Sequence, residues 1–306
     1  MMLRIQVDMF SGRPNPEWII TDPGTVDAIL EAVSSTEGVA ARPESGYLGL
    51  GFREIRVTSL EDEPIDRPGV TREFALASVA AEDFQASGEL ALRVVESMEQ
   101  DKGIQLVAHT LTPLTTELRE HILKRLHEYL ETPPAAECPT WPPYNPLRTI
   151  IRDERCEQCE YEVSQFNPDF WNAPDVRKYN NCYNYARNWR TDTFAQPGRA
   201  HGAGTGTMAC GTVTAAAIAD GLVRRCECLP VDEWPRRLMA LVIDPGFDYH
   251  WYRHQRGGFW GHKPGQTAAR NTDNSNALIT DPETCDRGGY TDFCGYFYAG
   301  RSVVIN

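Results

Sequence analysis

The chain has 306 residues, 41% of them hydrophobic and 24% charged, enough to bury a substantial core in one large domain or two ordinary ones. The net charge of −13 is uneven: residues 1–137 carry 12 Lys/Arg against 24 Asp/Glu, residues 138–306 carry 18 against 19. An acidic first half repels nucleic acid and anionic membranes, so neither is an expected partner. With no apolar run of signal-peptide type in "MMLRIQVDMFSGRP" and no 18-residue apolar stretch, the expectation is a soluble, cytoplasmic protein.

In chain order, "IQVDMF" predicts a strand and "SGRPNPEW" a turn held by Gly12, Pro14 and Pro16. "TVDAILEAV" places Val26, Ile29, Leu30 and Val33 at helical spacing. "YLGLGFREIRV" and "REFALASV" read as strands. "TTELREHILKRLHEYLE" sets Leu118, Ile122, Leu126 and Leu130 four apart on one helix face. His109, His121 and His127 are scattered, and surface or helix-face roles suit them. These features make residues 1–130 a small acidic α+β module without a catalytic constellation. "ETPPAAECPTWPPYNP" then reads as a proline-rich linker over 131–147.

The third segment, 148–306, changes character. "DVRKYNNCYNYARNWR" predicts a helix whose first turn lies near Asn180–Cys182, and "ACGTVTAAAIADGL" a second helix ending at Gly221. "RLMALVID", "DYHWYRHQ" and "GFWGHKPG" predict an antiparallel meander, with more strand in "YTDFCGYFYAGRSVVIN". Helices followed by sheet make an α+β arrangement of papain-like order.

All nine cysteines fall in the second half of the chain, eight of them in this segment: 138, 156, 159, 182, 210, 226, 228, 285 and 294. Such density suggests disulfides, a metal site or both, and keeps an extracellular form open. Cys156-x-x-Cys159 with Cys226-x-Cys228 has the makings of a four-thiolate zinc site, the one cofactor the sequence suggests, and two disulfides explain the same residues equally well. A helix N-terminus favours thiolate, which makes Cys182 the candidate nucleophile. Cys210, also ahead of a helix, is its rival but lacks flanking amides. His250, later on a strand, is the candidate general base, with His262 the second choice, able to pair across a hairpin with the His250 strand. Asp273 or Asn274, one strand later, would orient the imidazole. Asn181 or the Cys182 N–H would serve the oxyanion, with Asn180 beside them. His250, Tyr252 and His254 share a strand face, where His250 and His254 stand roughly 13 Å apart, too far for one metal ion. "HGAGTGT" lacks the leading strand and Gly-Lys-Ser/Thr of a phosphate loop.

Longer motifs carry a resemblance. "NNCYNYA", "TFAQPGR", "DYHWYRHQRGGFWGHKPGQTAARNTDNSNALITDP" and "CDRGGYTDFCGYF", spanning about 178–298, resemble the core of the family named after insoluble matrix shell proteins, known from bacteria as well as molluscs. The resemblance implies that Cys182, His250, His262, Lys263, Asp273, Asn274 and Asp281 belong to the family's motifs. It implies no established enzymatic activity. Residue order alone is similar to that of NlpC/P60-type, papain-like cysteine amidases. "VDMFSGRPNP" resembles a segment recurrent in bacterial proteins.

Two functions follow as expectations. One is a cysteine hydrolase or amidase cleaving a peptide or isopeptide bond of a peptide or protein substrate, with acyl transfer as its variant. The other is a non-catalytic, cysteine-stapled binding or matrix module whose aromatic strands hold a protein or polysaccharide. Oligomeric state is left open.

Overall fold

The computed structural model describes residues 1–98, 113–134 and 149–306. His109, Cys138 and most of the proline-rich stretch lie outside them. The class is α+β, as the sequence indicates: antiparallel sheets with helices set beside them. Two compact units form, the first comprising Met1–Met9 with Pro14–Glu137, the second Phe10–Arg13 with Cys138–Asn306.

The first unit holds strands β1 (Leu3–Asp8), β2 (Glu17–Ile20), β3 (Glu54–Ser59) and β4 (Glu73–Leu76) in the antiparallel order β2-β1-β3-β4. Helices α1 (Pro23–Ser35), α2 (Phe84–Glu96) and α3 (Thr116–Glu131) complete it. Each helix starts on a side-chain cap, with Asp22 accepting from the Thr25 N–H, Asp83 from Ala86 and Thr115 from Leu118. The expected periodicities are met: Val26, Ile29, Leu30 and Val33 are buried on α1, and Leu118, Ile122 and Leu126 on α3. Helix α2 goes unannounced because Gly88, a poor helix former, sits in its middle. A Cβ at Gly88 would stand 2.4 Å from Leu130 on α3, so the glycine lets the two helices approach.

The second unit opens with a hairpin, β5 (Thr149–Asp153) and β6 (Cys156–Val163). Short helices α4 (Pro168–Asn172), α5 (Pro174–Arg177) and α6 (Cys182–Arg187) follow, then α7 (Cys210–Ala219). Strands β7 (Val223–Arg224), β8 (Arg237–Asp244), β9 (Asp248–His254), β10 (Trp260–His262) and β11 (Asp292–Ala299) make one antiparallel sheet in the order β10-β9-β8-β11-β7. The expected meander is β8-β9-β10, and β11 adds to the free side of β8.

Side-chain alternation gives this sheet two unlike faces. Met239, Leu241, Ile243, Tyr249, Trp251, Phe297 and Ala299 turn to one side, where they pack with Cys182, Tyr183 and Ala186 of α6 and Val213 and Ala217 of α7. In strand register, His250 lies opposite Val242, Tyr252 opposite Ala240 and His262, and His254 opposite Trp260. Tyr296 and Tyr298 stand opposite Ala240 and Leu238. The second face is therefore a field of aromatic and histidine rings.

A strap ties the sheet down. Phe10–Arg13 runs past the start of β9, and the buried Asp248 carboxylate accepts from the N–H groups of Ser11 (2.5 Å), Gly12 (3.2 Å) and Arg13 (2.9 Å) and from the Tyr290 hydroxyl (2.6 Å). The Gly12 carbonyl in turn accepts from Tyr249 Oη, Asn181 Nδ2 and Gln196 Nε2. Glycine is required because a Cβ there would fall 2.4 Å from the Tyr249 ring, and that fully buried ring has no room to retreat. Gly12→Ala is therefore expected to destabilise the second unit by about 1–3 kcal/mol, read as a lower denaturant midpoint. An unchanged midpoint would refute this role for Gly12.

Candidate functional site

Helix α6 is built around three asparagines. Asn181 caps it, its Oδ1 accepting from the N–H groups of Tyr183 (3.0 Å) and Asn184 (3.2 Å), while Asn184 Oδ1 accepts from the Asn181 N–H in a reciprocal capping box. Asn181 Nδ2 donates to the carbonyls of Gly12 and Ala195. Asn184 also accepts from Ala195 N–H and donates to Trp189 O and Thr191 Oγ1. Asn180 donates to Val176 O and Asp192 and accepts from the N–H groups of Thr191 and Asp192. Each amide thus uses both hydrogens and both lone pairs on the protein itself. The expectation that Asn180 or Asn181 would bind an oxyanion is corrected: their donors are already committed.

Cys182 opens α6 as expected, and its thiol is free of any disulfide, but it is wholly buried in the helix-side core. Its Sγ points to the Tyr249 carbonyl at 4.0 Å. Burial, then the Asp248 carboxylate, push the thiol well above its ordinary range, so desolvation overrides the modest help of a six-residue helix. His250 is carried by the same strand as Tyr249 and Trp251 but on the opposite face, so the sheet separates it from Cys182. The two residues share a strand neighbourhood without meeting.

The histidines meet each other instead. His250 Nε2 lies 2.9 Å from His262 Nδ1, and His262 Nε2 lies 3.0 Å from the Thr272 carbonyl. A carbonyl only accepts, so His262 carries its proton on Nε2, and His250 Nε2–H must donate to the His262 Nδ1 lone pair. Burial, then the charge of Arg270, hold the His262 imidazole down at about 3. Asp273 does not orient either ring. Its carboxylate accepts from the N–H groups of Ser275, Ala277 and Asp286 and organises a loop, not a neighbouring strand. Asn274 lies in the same loop, its N–H donating to the Asp286 carbonyl. Lys263, fully buried, donates to the carbonyls of Arg177 (2.7 Å), Asn180 (2.5 Å) and Gly265 (2.5 Å).

Six of the other cysteines form disulfides. Cys156–Cys226 and Cys159–Cys228 join the β6 hairpin to the segment after β7, and Cys210–Cys294 joins α7 to β11. Cys210 is thereby removed as a rival nucleophile. Zinc on Cys156, Cys159, Cys226 and Cys228 would require the reduced chain, since each sulfur is already bonded to another. Closing loops of about 70 residues contributes roughly 4 kcal/mol per bridge in the chain-entropy picture. Cys285 is the second free thiol among the described residues.

A cleft of about 490 Å³ lies on the ring-bearing face, against the β5–β6 hairpin. Residues outside the notional catalytic set line it: Tyr161, His254, Trp260 and Tyr296 with Arg155, Arg225 and Asp281. The Cys156–Cys226 bridge sets the adjoining arginines together, and their guanidiniums lie 5.5 Å and 4.9 Å from the Tyr296 ring centre. Trp260 stands 5.4 Å from the same ring, and Asp281 accepts from the Tyr296 hydroxyl at 2.9 Å. Asp153 anchors Arg225, with 2.8 Å from Nε to Oδ2. Burial, then Arg225, lower His254 to about 4, so its Nδ1 meets the Tyr161 hydroxyl at 3.0 Å as a neutral ring. Aromatic strand positions signalled this face in the sequence; the two arginines depended on a disulfide pairing that spacing does not reveal.

Two measurements check these assignments. Alkylation of the native protein at pH 8 should leave Cys182 unmodified by mass spectrometry until the chain is unfolded; rapid native labelling would contradict its burial. Imidazole NMR should find His262 as the neutral Nε2–H tautomer at every pH from 8 to 5. Its folded pKa lies below the ordinary 6.5, so its contribution to stability is present at high pH and is lost as pH falls from about 6.5 towards 3. Titration of this ring near 6.5 in the folded state would refute the pairing.

No protein-family model matches the chain, and no solved structure matches it. Insoluble matrix shell protein 1 of Ruditapes philippinarum is 46% identical over 143 residues, covering 47% of this chain and 95% of that protein. With nearly the whole of that relative aligned at such identity, the chain belongs to the insoluble matrix shell protein family.

Proposed function

We propose that the protein is a non-catalytic, disulfide-stapled matrix module that holds a polysaccharide through the aromatic and arginine cleft. The observation that carries this reading is the separation of Cys182 from His250 by the sheet, which leaves a hydrolase without a thiolate–imidazole pair. The kinship with a protein named for an insoluble shell matrix supports the same side. Trp260 and Tyr296, tilted at 38° to one another, line the cleft with apolar ring surface for a sugar, while Arg155, Arg225 and Asp281 offer donors and acceptors for hydroxyls, within a volume usual for ligand sites. Three disulfides support an oxidising, extracellular setting in place of the cytoplasmic one expected from the chain's opening residues.

Co-sedimentation with chitin and with cellulose tests the proposal. The chain should be retained on at least one, and the Trp260→Ala/Tyr296→Ala double variant should lose about 10-fold in affinity, the order expected for one or two lost stacking contacts. Absence of retention on both polymers, or equal retention of the variant, would sink the reading. Amide cleavage by the wild-type chain that disappears in Cys182→Ala would restore the hydrolase.

A further inference from the structure

A second cleft of about 280 Å³ opens elsewhere in this unit, lined by Arg253, Arg237, Glu162, Arg190, Trp171 and Phe170 among others. Arg253 lies near the end of β9, on the face opposite the histidines, and is only 3% exposed. Its Nη1 donates to the Tyr185 carbonyl at 2.8 Å, and its guanidinium lies over the Tyr185 ring at 4.5 Å. With the Gln255 amide in the orientation its neighbours demand, Nε donates to the Gln255 oxygen at 2.9 Å. All of these acceptors are neutral, as is the Tyr185 hydroxyl that the guanidinium also meets.

The charges around it offset it only in part. Arg237 and Glu162, both buried, pair at 3.2 Å, so the carboxylate that also acts on Arg253 is shared between two guanidiniums. Arg190 is engaged by Asp175 and Asp192. Burial lowers the Arg253 pKa, yet a guanidinium keeps its proton in proteins, so the charge persists. A buried cation with only a shared counter-charge keeps part of its desolvation cost. A guanidinium on the wall of a cleft matches the geometry of a carboxylate or sulfate. The 45% exposed ring of Phe170 lies on the wall of the same cleft, where it can cover an apolar ring.

We propose that this cleft binds the oxyanion of an acidic ligand, a carboxylate or sulfate group, on the Arg253 guanidinium. The volume, at the small end for ligand sites, suits one acid-bearing ring and not a length of polymer. The site is separate from the Trp260–Tyr296 cleft and stands whether or not that cleft holds a polysaccharide.

Calorimetric titration of the full chain with inorganic sulfate, at constant ionic strength maintained with chloride, tests it. Sulfate should bind more tightly than the chloride background allows, and Arg253→Gln should weaken it at least 10-fold. Glu162→Gln removes a negative charge from the cleft wall and should tighten binding several-fold; this variant keeps the test decisive if Arg253→Gln fails to fold. No sulfate binding above chloride in either the wild type or Glu162→Gln overturns the proposal, as does equal binding by a folded Arg253→Gln. Glucuronate and a sulfated disaccharide identify the source of the oxyanion. Tighter binding than sulfate assigns the site to an acidic sugar, and weaker binding assigns it to a free anion; either upholds the cleft.

Discussion

The second unit depends on a carboxylate that has left water. Asp248 begins β9 with no solvent contact, and burial alone raises its pKa against the pull of four donors. Those donors are three consecutive backbone N–H groups of the Ser11–Arg13 strap and the Tyr290 hydroxyl. Removing the strap would leave the charge without its satisfaction, a penalty of several kcal/mol. Because the Gly12 carbonyl also receives Tyr249 and Asn181, the same short segment fixes the β9 ring that Cys182 packs beneath and the cap that starts α6. Strand, helix and strap thus form one polar network around an apolar centre.

Much of the sheet was legible in the sequence. Alternation in "DYHWYRHQ" separates His250, Tyr252 and His254 from Tyr249, Trp251 and Arg253, and the breaks at Pro245-Gly246 and Gly257-Gly258 locate the turns. The misreading arose one step later. Chain order places a cysteine helix before a histidine strand, but order does not say which face of the strand meets the helix. Here Tyr249 and Trp251 take the helix and His250 faces away, so an order shared with papain-like hydrolases produces a different constellation. Spacing also failed at Asp273, whose side chain closes its own loop, an interaction between neighbours that imitates a catalytic partner at a distance.

The asparagines around Cys182 illustrate why a conspicuous motif need not be reactive. Asn180, Asn181 and Asn184 place polar atoms inside irregular backbone, where every unmet donor or acceptor would be expensive. They are therefore positioned where helix, loop and strap lack regular partners. Lys263 serves the same end from another direction by gathering three carbonyls. Arg187 does likewise with the carbonyls of Arg301 and Val303. A fold with many long connections needs such internal solvation, and residues chosen for it look like active-site residues when read one by one.

The strap has a topological consequence. Phe10–Arg13 belongs to the second unit, while the residues immediately before and after it belong to the first. The second unit is therefore discontinuous: one of its pieces leaves the ribosome more than a hundred residues before the rest. Its early piece must wait, extended between segments of another unit, until β9 emerges to receive it. A fragment starting after the proline-rich stretch would contain every disulfide cysteine and every ring of the sheet, yet it would lack the peptide groups that hold Asp248. In this chain the unit is therefore not one contiguous stretch of sequence.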